Sequence, residues 1–417
     1  MTLLIKNLRR VISGSGFKLC DGRKPHQDSL GILDGPVDIR IDQNTGTIIE
    51  ISKDLPKENS IVFNGAGLLA TAAFIDSHTH FIFSGNRANE YFLRWAGKSY
   101  LEISQTGGGI HNTISSTQCQ SEDDLADKTW IELLKTSQSG VGCIEIKSGY
   151  SNSPEGELKL LRAIKKLKIK SNESFGPKIF STFLGLHSLP KDLIEEDFVD
   201  KMISILPIVL KENLADFVDA FPEKGFFSLN ESLRFAVEAK KLGIQSKFHA
   251  DELSDLNTAS TMAKLNAISV DHLQQISEQG IKDLANSSTV ATLLPATSFY
   301  LGLTYAPARA LLDAGAKVAL ATDYNPGTSP SYSMGFTALL AASQFKMSPA
   351  EILCAITFNG ASALSCQNTL GTLQVGQIAN LCLWASEEKT ALADLECLLL
   401  DAKNPMAVFL SGKKLGS

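Results

Sequence analysis

From Thr71 onward, short apolar runs alternate with longer stretches in which apolar residues recur every three or four positions. The runs read as strands at Thr71 to His78, Gly142 to Ser148, Lys178 to His187, Phe217 to Pro222, Gln245 to His249, Ala267 to His272, Thr289 to Pro295 and Lys317 to Asp323. Between them the period is helical. Ser153-Pro154 offers an N-cap followed by proline, and Leu160, Ile164 and Leu167 then recur at i, i+4 and i+7. Ser348-Pro349-Ala350-Glu351 has the form of a capping box. Eight strands separated by helices predict an α/β fold closed as a (β/α)8 TIM-like barrel.

The flanks have another texture. Val37 to Ile41 alternates, Asn44-Thr45-Gly46 turns, and Thr47 to Ile51 follows. After about Ala363 strand-like segments return, with Gly371-Thr372-Leu373, Ala379 to Trp384 and Ala407 to Leu410. Both termini are expected to build one small β-sandwich domain. The division is then 1–66 and 365–417 for that domain and 67–364 for the catalytic barrel.

One interval is long, from His80 to the second strand near Gly142. It holds Arg87, Arg94, Trp95 and the triplet Gly107-Gly108-Gly109, and long loops at the C-terminal face of a barrel tend to carry function. The glycines match neither a dinucleotide nor a P-loop pattern and read as a flexible lid.

Composition narrows the partners. The chain has 417 residues, 44% of them hydrophobic, enough for a sizeable core, and a net charge of -6 with no long basic run. Nucleic acid is excluded as a partner and a small-molecule substrate is favoured. No signal-like or membrane-spanning apolar run occurs. The seven cysteines are scattered without a C-x-x-C pair, so reduced thiols and a cytoplasmic location are expected.

The candidate chemistry lies at the strand ends. In Asp76-Ser77-His78-Thr79-His80, two histidines two apart share one face and can bind one metal ion. His187, His249, His272 and Asp323 close other strands, so five of the seven histidines fall at one rim. His26 and His111 read as structural. Three imidazoles and a carboxylate leave an open position on zinc or iron, where bound water becomes hydroxide near neutral pH, a nucleophile for an amide-like carbon. A second metal would need a bridging ligand, which in binuclear proteins that this architecture resembles is a modified lysine on the fourth strand; Asp216 to Pro222 has no lysine, so one metal is expected. Lys147, on the second strand, reads as structural. Glu252, three residues past His249, is placed to move protons between water and a leaving nitrogen.

These residues resemble the imidazolonepropionase family of the amidohydrolase superfamily. The likeness runs from about Leu69 to Leu364 through DSHTHFIFSGNRANEY, GGGI, EIKSGY, TFLGLHSLP, FHADEL, VDHL, LLPATSFYLG and ATDYNPGTSPSYSM. The resemblance implies metal ligation by His78, His80, His249 and Asp323. It implies contacts with imidazolonepropionate from Arg87, Tyr150, His187, Glu252, Asn325, Gly327 and Thr328, and His272 beside the metal's water. The implied reaction is hydrolysis of 4-imidazolone-5-propanoate to N-formimidoyl-L-glutamate in histidine degradation, and a homodimer is that family's habit. Arg87, with Tyr150, fits the propionate, and His187 is expected to stabilise the oxyanion. The chain departs from the pattern at Ala72-Ala73, Ser151, Pro222, Ala296 and Asn380. A cyclic-amidine deaminase with the same ligands is the alternative, and a silent scaffold of the same fold is a further one.

Overall fold

The computed structural model describes all residues except 99–101, 103–107, 191, 402 and 417. Phe74–Asp76, Val141–Lys147, Lys178–Leu186, Phe217–Ala220, Gln245–Ala250, Ser269–His272, Val290–Leu293 and Lys317–Leu320 form one sheet in sequence order, every neighbouring pair parallel. The ring closes just beyond the strands, where Asp323 N–H donates to His78 O at 3.0 Å and His80 N–H to Tyr324 O at 2.9 Å. The Asp76 carboxylate strengthens that seam by accepting from Thr322 N (3.0 Å) and Thr322 Oγ1 (2.6 Å). Closure therefore brings the ends of the first and eighth strands together.

The remaining sheet is built from both termini. Its order is Lys413–Lys414, Ala407–Leu410, Leu381–Ala385, Leu68–Ala72, Thr2–Ile12, Ile32–Asp42 and Ile48–Ser52, with Ser60–Asn64 also paired to Thr2–Ile12. One face buries Ile5, Leu8, Ile39, Leu381, Leu383 and Phe409.

The run expected as one strand from Thr71 to His78 is divided between the two sheets. Leu68–Ala72 pairs with Thr2–Ile12 and Leu381–Ala385, and only Phe74–Asp76 enters the barrel. The join therefore falls at Ala73 instead of 66/67, because Ala73 N–H donates to Asn380 O while Phe74 N–H donates to Gly140 O. Asn380 also bridges the two units, donating from Nδ2 to Gly142 O at 3.0 Å and accepting Ser411 N–H at 2.7 Å.

Ser153 caps Pro154–Glu173 and Ser348 with Glu351 caps Pro349–Ile356, both at the expected places. The long interval after His80 contains helices Ala88–Trp95, Ile110–Gln118 and Glu122–Gln138. Of its glycine triplet, Gly107 lies outside the described residues, while Gly109, at φ 84°, opens Ile110–Gln118 and donates its N–H to Glu90 Oε1 at 3.0 Å. Near the C-terminus, where only strands were expected, Ala391–Asp401 is helical. Its alanines and leucines are strong helix formers, and Leu395, Leu398 and Leu399 give it one buried face. Among the described residues no helix is long and apolar enough to cross a membrane, and all seven cysteines are unpaired.

Candidate active site

Just past the first strand, extended backbone points His78 and His80 into the barrel mouth. Ring nitrogens of His78, His80 and His249 lie within 4.8 Å of one another, and donor atoms of His78, His272 and Asp323 do likewise. Asp323 Oδ1 is 3.5 Å from His78 Nε2 and 3.4 Å from His80 Nε2. Donors about 2.0–2.1 Å from a common ion at tetrahedral angles stand roughly 3.4 Å apart, so this spacing suits one metal. His78 Nε2 is buried with no hydrogen-bond partner among the described residues, which fits a metal-ligand atom.

Carboxylates lie against the opposite edges of two of these histidines. His78 Nδ1 lies 2.7 Å from Asp271 Oδ2, and His249 Nδ1 lies 3.0 Å from Asp219 Oδ2. At His78, where the Asp271 carboxylate accepts from Nδ1–H, the Nε2 lone pair is left for a metal, whereas the His249 Nδ1 contact lacks hydrogen-bond geometry and Asp219 Oδ1 accepts instead from the His249 backbone N–H at 3.1 Å. Burial, with the charge of Lys147, holds His78 well below the usual histidine range, so the ring stays neutral. Burial also pulls His249 down, but Asp219 outweighs it and raises the ring overall.

Lys147 underlies both pairs. Its Nζ is 2.8 Å from Asp219 Oδ2, 3.0 Å from Glu145 Oε2 and 3.8 Å from Asp271 Oδ2. Burial lowers its pKa, yet these carboxylates outweigh the burial and keep the ammonium charged. Lys247 sits alongside, donating to Ser77 O at 2.7 Å and lying 3.4 Å from Glu145 Oε1.

Asp323 adopts φ 54°, a left-handed conformation uncommon for a residue with a side chain, and His272 adopts φ 83°. Thr297 Oγ1 donates to Asp323 Oδ2 at 2.6 Å, which turns Oδ1 toward the histidines. Burial pushes the Asp323 carboxyl up to about 6.

Over this cluster opens a cavity of about 510 Å³ whose walls include Arg87, Tyr150, His187, Glu252, Asn325 and Thr328. His187 Nδ1 is 3.0 Å from Gly149 O, so that nitrogen carries the proton. Burial, with the charge of His249, lowers His187 to about 4. A neutral ring of that tautomer presents a lone pair from Nε2. Such a nitrogen can accept a hydrogen bond, whereas Nδ1–H is already committed to Gly149 O.

Glu252 Oε1 is 3.5 Å from His272 Nδ1, and burial followed by the charge of Asp323 raises Glu252 to about 8. Its loop is clamped by Glu223, whose Oε2 accepts Leu253 N–H at 2.9 Å and Ser254 N–H at 3.1 Å.

Arg87 is tied to Glu90 through two bonds, Nε to Oε1 at 3.0 Å and Nη2 to Oε2 at 2.8 Å. Asn325 organises its own loop, accepting from Gly327 N (2.8 Å) and Thr328 N (2.7 Å) and donating to Asp323 O (2.7 Å) and Thr328 Oγ1 (2.7 Å). Gly327 lacks a Cβ for a steric reason, because one would overlap the Arg87 guanidinium.

Of the residues singled out in the sequence, His78, His80, His249, His272 and Asp323 lie together, and Arg87, Tyr150, His187, Glu252, Asn325 and Thr328 line the cavity above them. Sequence reasoning missed Asp219, Asp271, Thr297, Glu90 and Glu223. Asp219 and Asp271 left one trace, an acid inside an otherwise apolar strand.

Residues 227–415 match the model of the amidohydrolase family. The imidazolonepropionase of Fusobacterium nucleatum is 42% identical over 318 residues, covering 76% of each chain. That of Bdellovibrio bacteriovorus is 38% identical over 388 residues, 91% of this chain and 90% of its own. Among solved structures, an adenosine deaminase from Xanthomonas campestris with bound zinc superposes with a TM-score of 0.71 at 14% identity, covering 99% of this chain and 92% of that one. An amidohydrolase from a Sargasso Sea environmental sample gives 0.71 at 17% identity, covering 100% and 93%. At those identities the structural likeness is one of fold, whereas the sequence likeness spans most of the chain, and on that ground the protein belongs to the imidazolonepropionase family of metal-dependent amidohydrolases.

Proposed function

We propose that this chain hydrolyses a ring C–N bond of 4-imidazolone-5-propanoate to give N-formimidoyl-L-glutamate, a step of histidine degradation. The observation that carries the reading is the convergence of His78, His80, His249 and Asp323 at the floor of a cavity walled by Arg87, Tyr150 and Glu252, in a chain of this family. Those four would hold one zinc or iron ion, which when bound supplies Lewis acidity and a water acidic enough to react near neutral pH.

The chain's own groups then have separate tasks. Glu252, in its ionised form, takes the proton of the attacking water and delivers it to the ring nitrogen that leaves, from its place on the cavity wall beside His272. His272 stands 3.5 Å from Glu252 and orients it beside the metal position. His187 accepts an N–H of the imidazolone ring through Nε2. Burial raises the Tyr150 hydroxyl, so it keeps its proton and donates to the substrate. Asn325, Gly327 and Thr328 shape the wall that Arg87 rests against.

The test is a direct assay on freshly prepared imidazolonepropionate, with product mass and metal content measured on the same sample. Ammonia release would replace hydrolytic ring opening by deamination. Zinc- or iron-treated protein that holds no ion and turns over nothing would leave only a scaffold. The same reading carries a cytoplasmic location and a homodimer, the latter decided by light scattering.

A further inference from the structure

One wholly buried acid has no part in the chemistry described so far. Glu157 lies in the first turn of Pro154–Glu173, closed off from solvent. Glu145, Asp219 and Asp271 gather round the Lys147 ammonium, whereas among the described residues no cation lies within ion-pair distance of Glu157. An acid is costly to bury without a counter-charge, so the hydrogen bonds it makes must answer it. Those bonds come from the loop after the second barrel strand. Oε2 accepts Gly149 N–H at 2.9 Å, and Oε1 accepts Ser151 N–H at 3.0 Å. Burial pushes the carboxyl up to about 8, and in either protonation state each oxygen keeps a lone pair for its N–H.

The two N–H groups flank Tyr150, so one side chain grips the backbone on both sides of a residue that lines the cavity. The same loop also sets His187. Gly149, held by Glu157 through its N–H, presents its carbonyl to His187 Nδ1 at 3.0 Å, and the rings of Tyr150 and His187 have their centres 5.6 Å apart. There is little slack in this arrangement. Gly149 adopts φ 101°, and a Cβ there would lie 3.0 Å from His187 Nδ1 and 2.9 Å from Leu184 Cδ2. On the helix side, a Cβ at Gly156 would lie 1.8 Å from Ser151 Oγ.

We propose that Glu157 is a positioning residue for substrate binding, which holds the backbone on both sides of Tyr150 so that the Tyr150 hydroxyl is aimed into the cavity and Gly149 O fixes the tautomer of His187. The proposal rests on the reading that this chain acts on imidazolonepropionate. E157Q is nearly isosteric, but only its amide oxygen accepts. Its amide nitrogen has no lone pair and would face a backbone N–H, so the loop must move away from one of its two anchors.

The experiment compares zinc-loaded wild type and E157Q by turnover of imidazolonepropionate, by calorimetric binding of 3-(imidazol-4-yl)propanoate and by ¹⁵N NMR of histidine-labelled protein, with the His187 signals assigned through H187N. E157Q is expected to keep its zinc, raise KM by roughly 10- to 100-fold with a smaller loss in kcat, and bind the imidazole ligand more weakly. Its His187 signals are expected to depart from those of the Nδ1–H tautomer seen in wild type. A merely structural residue would lower the folded fraction and with it the apparent kcat, leaving KM and the His187 tautomer as in wild type, and that result overturns the proposal. E157D, with both oxygens on a shorter arm, is expected to fall between the two and decides on the same readouts should E157Q not fold. Wild type that fails to turn over imidazolonepropionate overturns instead the functional reading beneath, while the His187 tautomer still tests the part played by Glu157.

Discussion

Lys147 Nζ lies 2.8 Å from Asp219 Oδ2, with both side chains wholly removed from solvent. Asp219 in turn meets His249, and Asp271, 3.8 Å from the same ammonium, meets His78. One buried cation therefore reaches both carboxylates behind His249 and His78, with Lys247 alongside it. Loss of such a support typically costs 10–100-fold in metal affinity. K147M should weaken zinc binding by about that factor in a chelator competition. It should also cost about 3–5 kcal/mol in urea unfolding, because it leaves buried carboxylates without their partner. Adding E145Q removes one of those carboxylates and should restore part of the stability. Wild-type zinc affinity in folded K147M would show that the lysine does not act on the ligands.

Glu252 faces the cavity but contributes nothing to the proposed ligand set. Glu252→Gln should therefore retain one metal per chain while turnover falls by about 10²- to 10⁴-fold, the range for a lost acid-base group. Metal stoichiometry and kcat measured together test this. Unimpaired turnover would remove Glu252 from the proton path.

Gly327 sits where a Cβ would overlap the Arg87 guanidinium, which Glu90 holds by two bonds and which has little room to retreat. Gly327→Ala should displace Arg87 and raise KM for imidazolonepropionate by about tenfold, equivalent to about 1.4 kcal/mol. Metal content should not change. A KM equal to wild type would mean that the loop yields and Arg87 does not.

Thr297 bonds Asp323 Oδ2 and so aims Oδ1 at His78 and His80. Thr297→Val should weaken metal binding without emptying the site at millimolar zinc. Stripping the metal from wild type should abolish turnover and lower the melting temperature, since a ligand at 100 times its Kd contributes about 2.7 kcal/mol. Zinc or iron should restore both. An unchanged melting curve after verified removal would argue against a metal bound within this cluster.

Much of this was visible before any coordinates. The two-residue spacing of His78 and His80 is a statement about strand geometry, and eight alternating segments are enough to specify a barrel and its reactive end. Asp323 is legible because it follows the eighth strand, and ring closure sets that strand beside the first. Where reading failed, two sheets competed for one apolar run. Leu68–Ala72 and Phe74–Asp76 look alike in sequence, and only their hydrogen-bond partners separate them.

The amino-acid order by itself determined the alternation of strands and helices, the caps at Ser153 and Ser348, and the presence of histidines and an aspartate at the ends of five of the eight strands. These depend on neighbours a few positions away. The tertiary structure alone decided that Asp219 and Asp271 back His249 and His78, that His187 offers a lone pair, and that Glu90 grips Arg87 by two bonds. Each of those depends on which polar atoms remain unpaired once the barrel has closed. Pairing between distant residues, in a medium where every buried charge must be answered, is not encoded in local pattern.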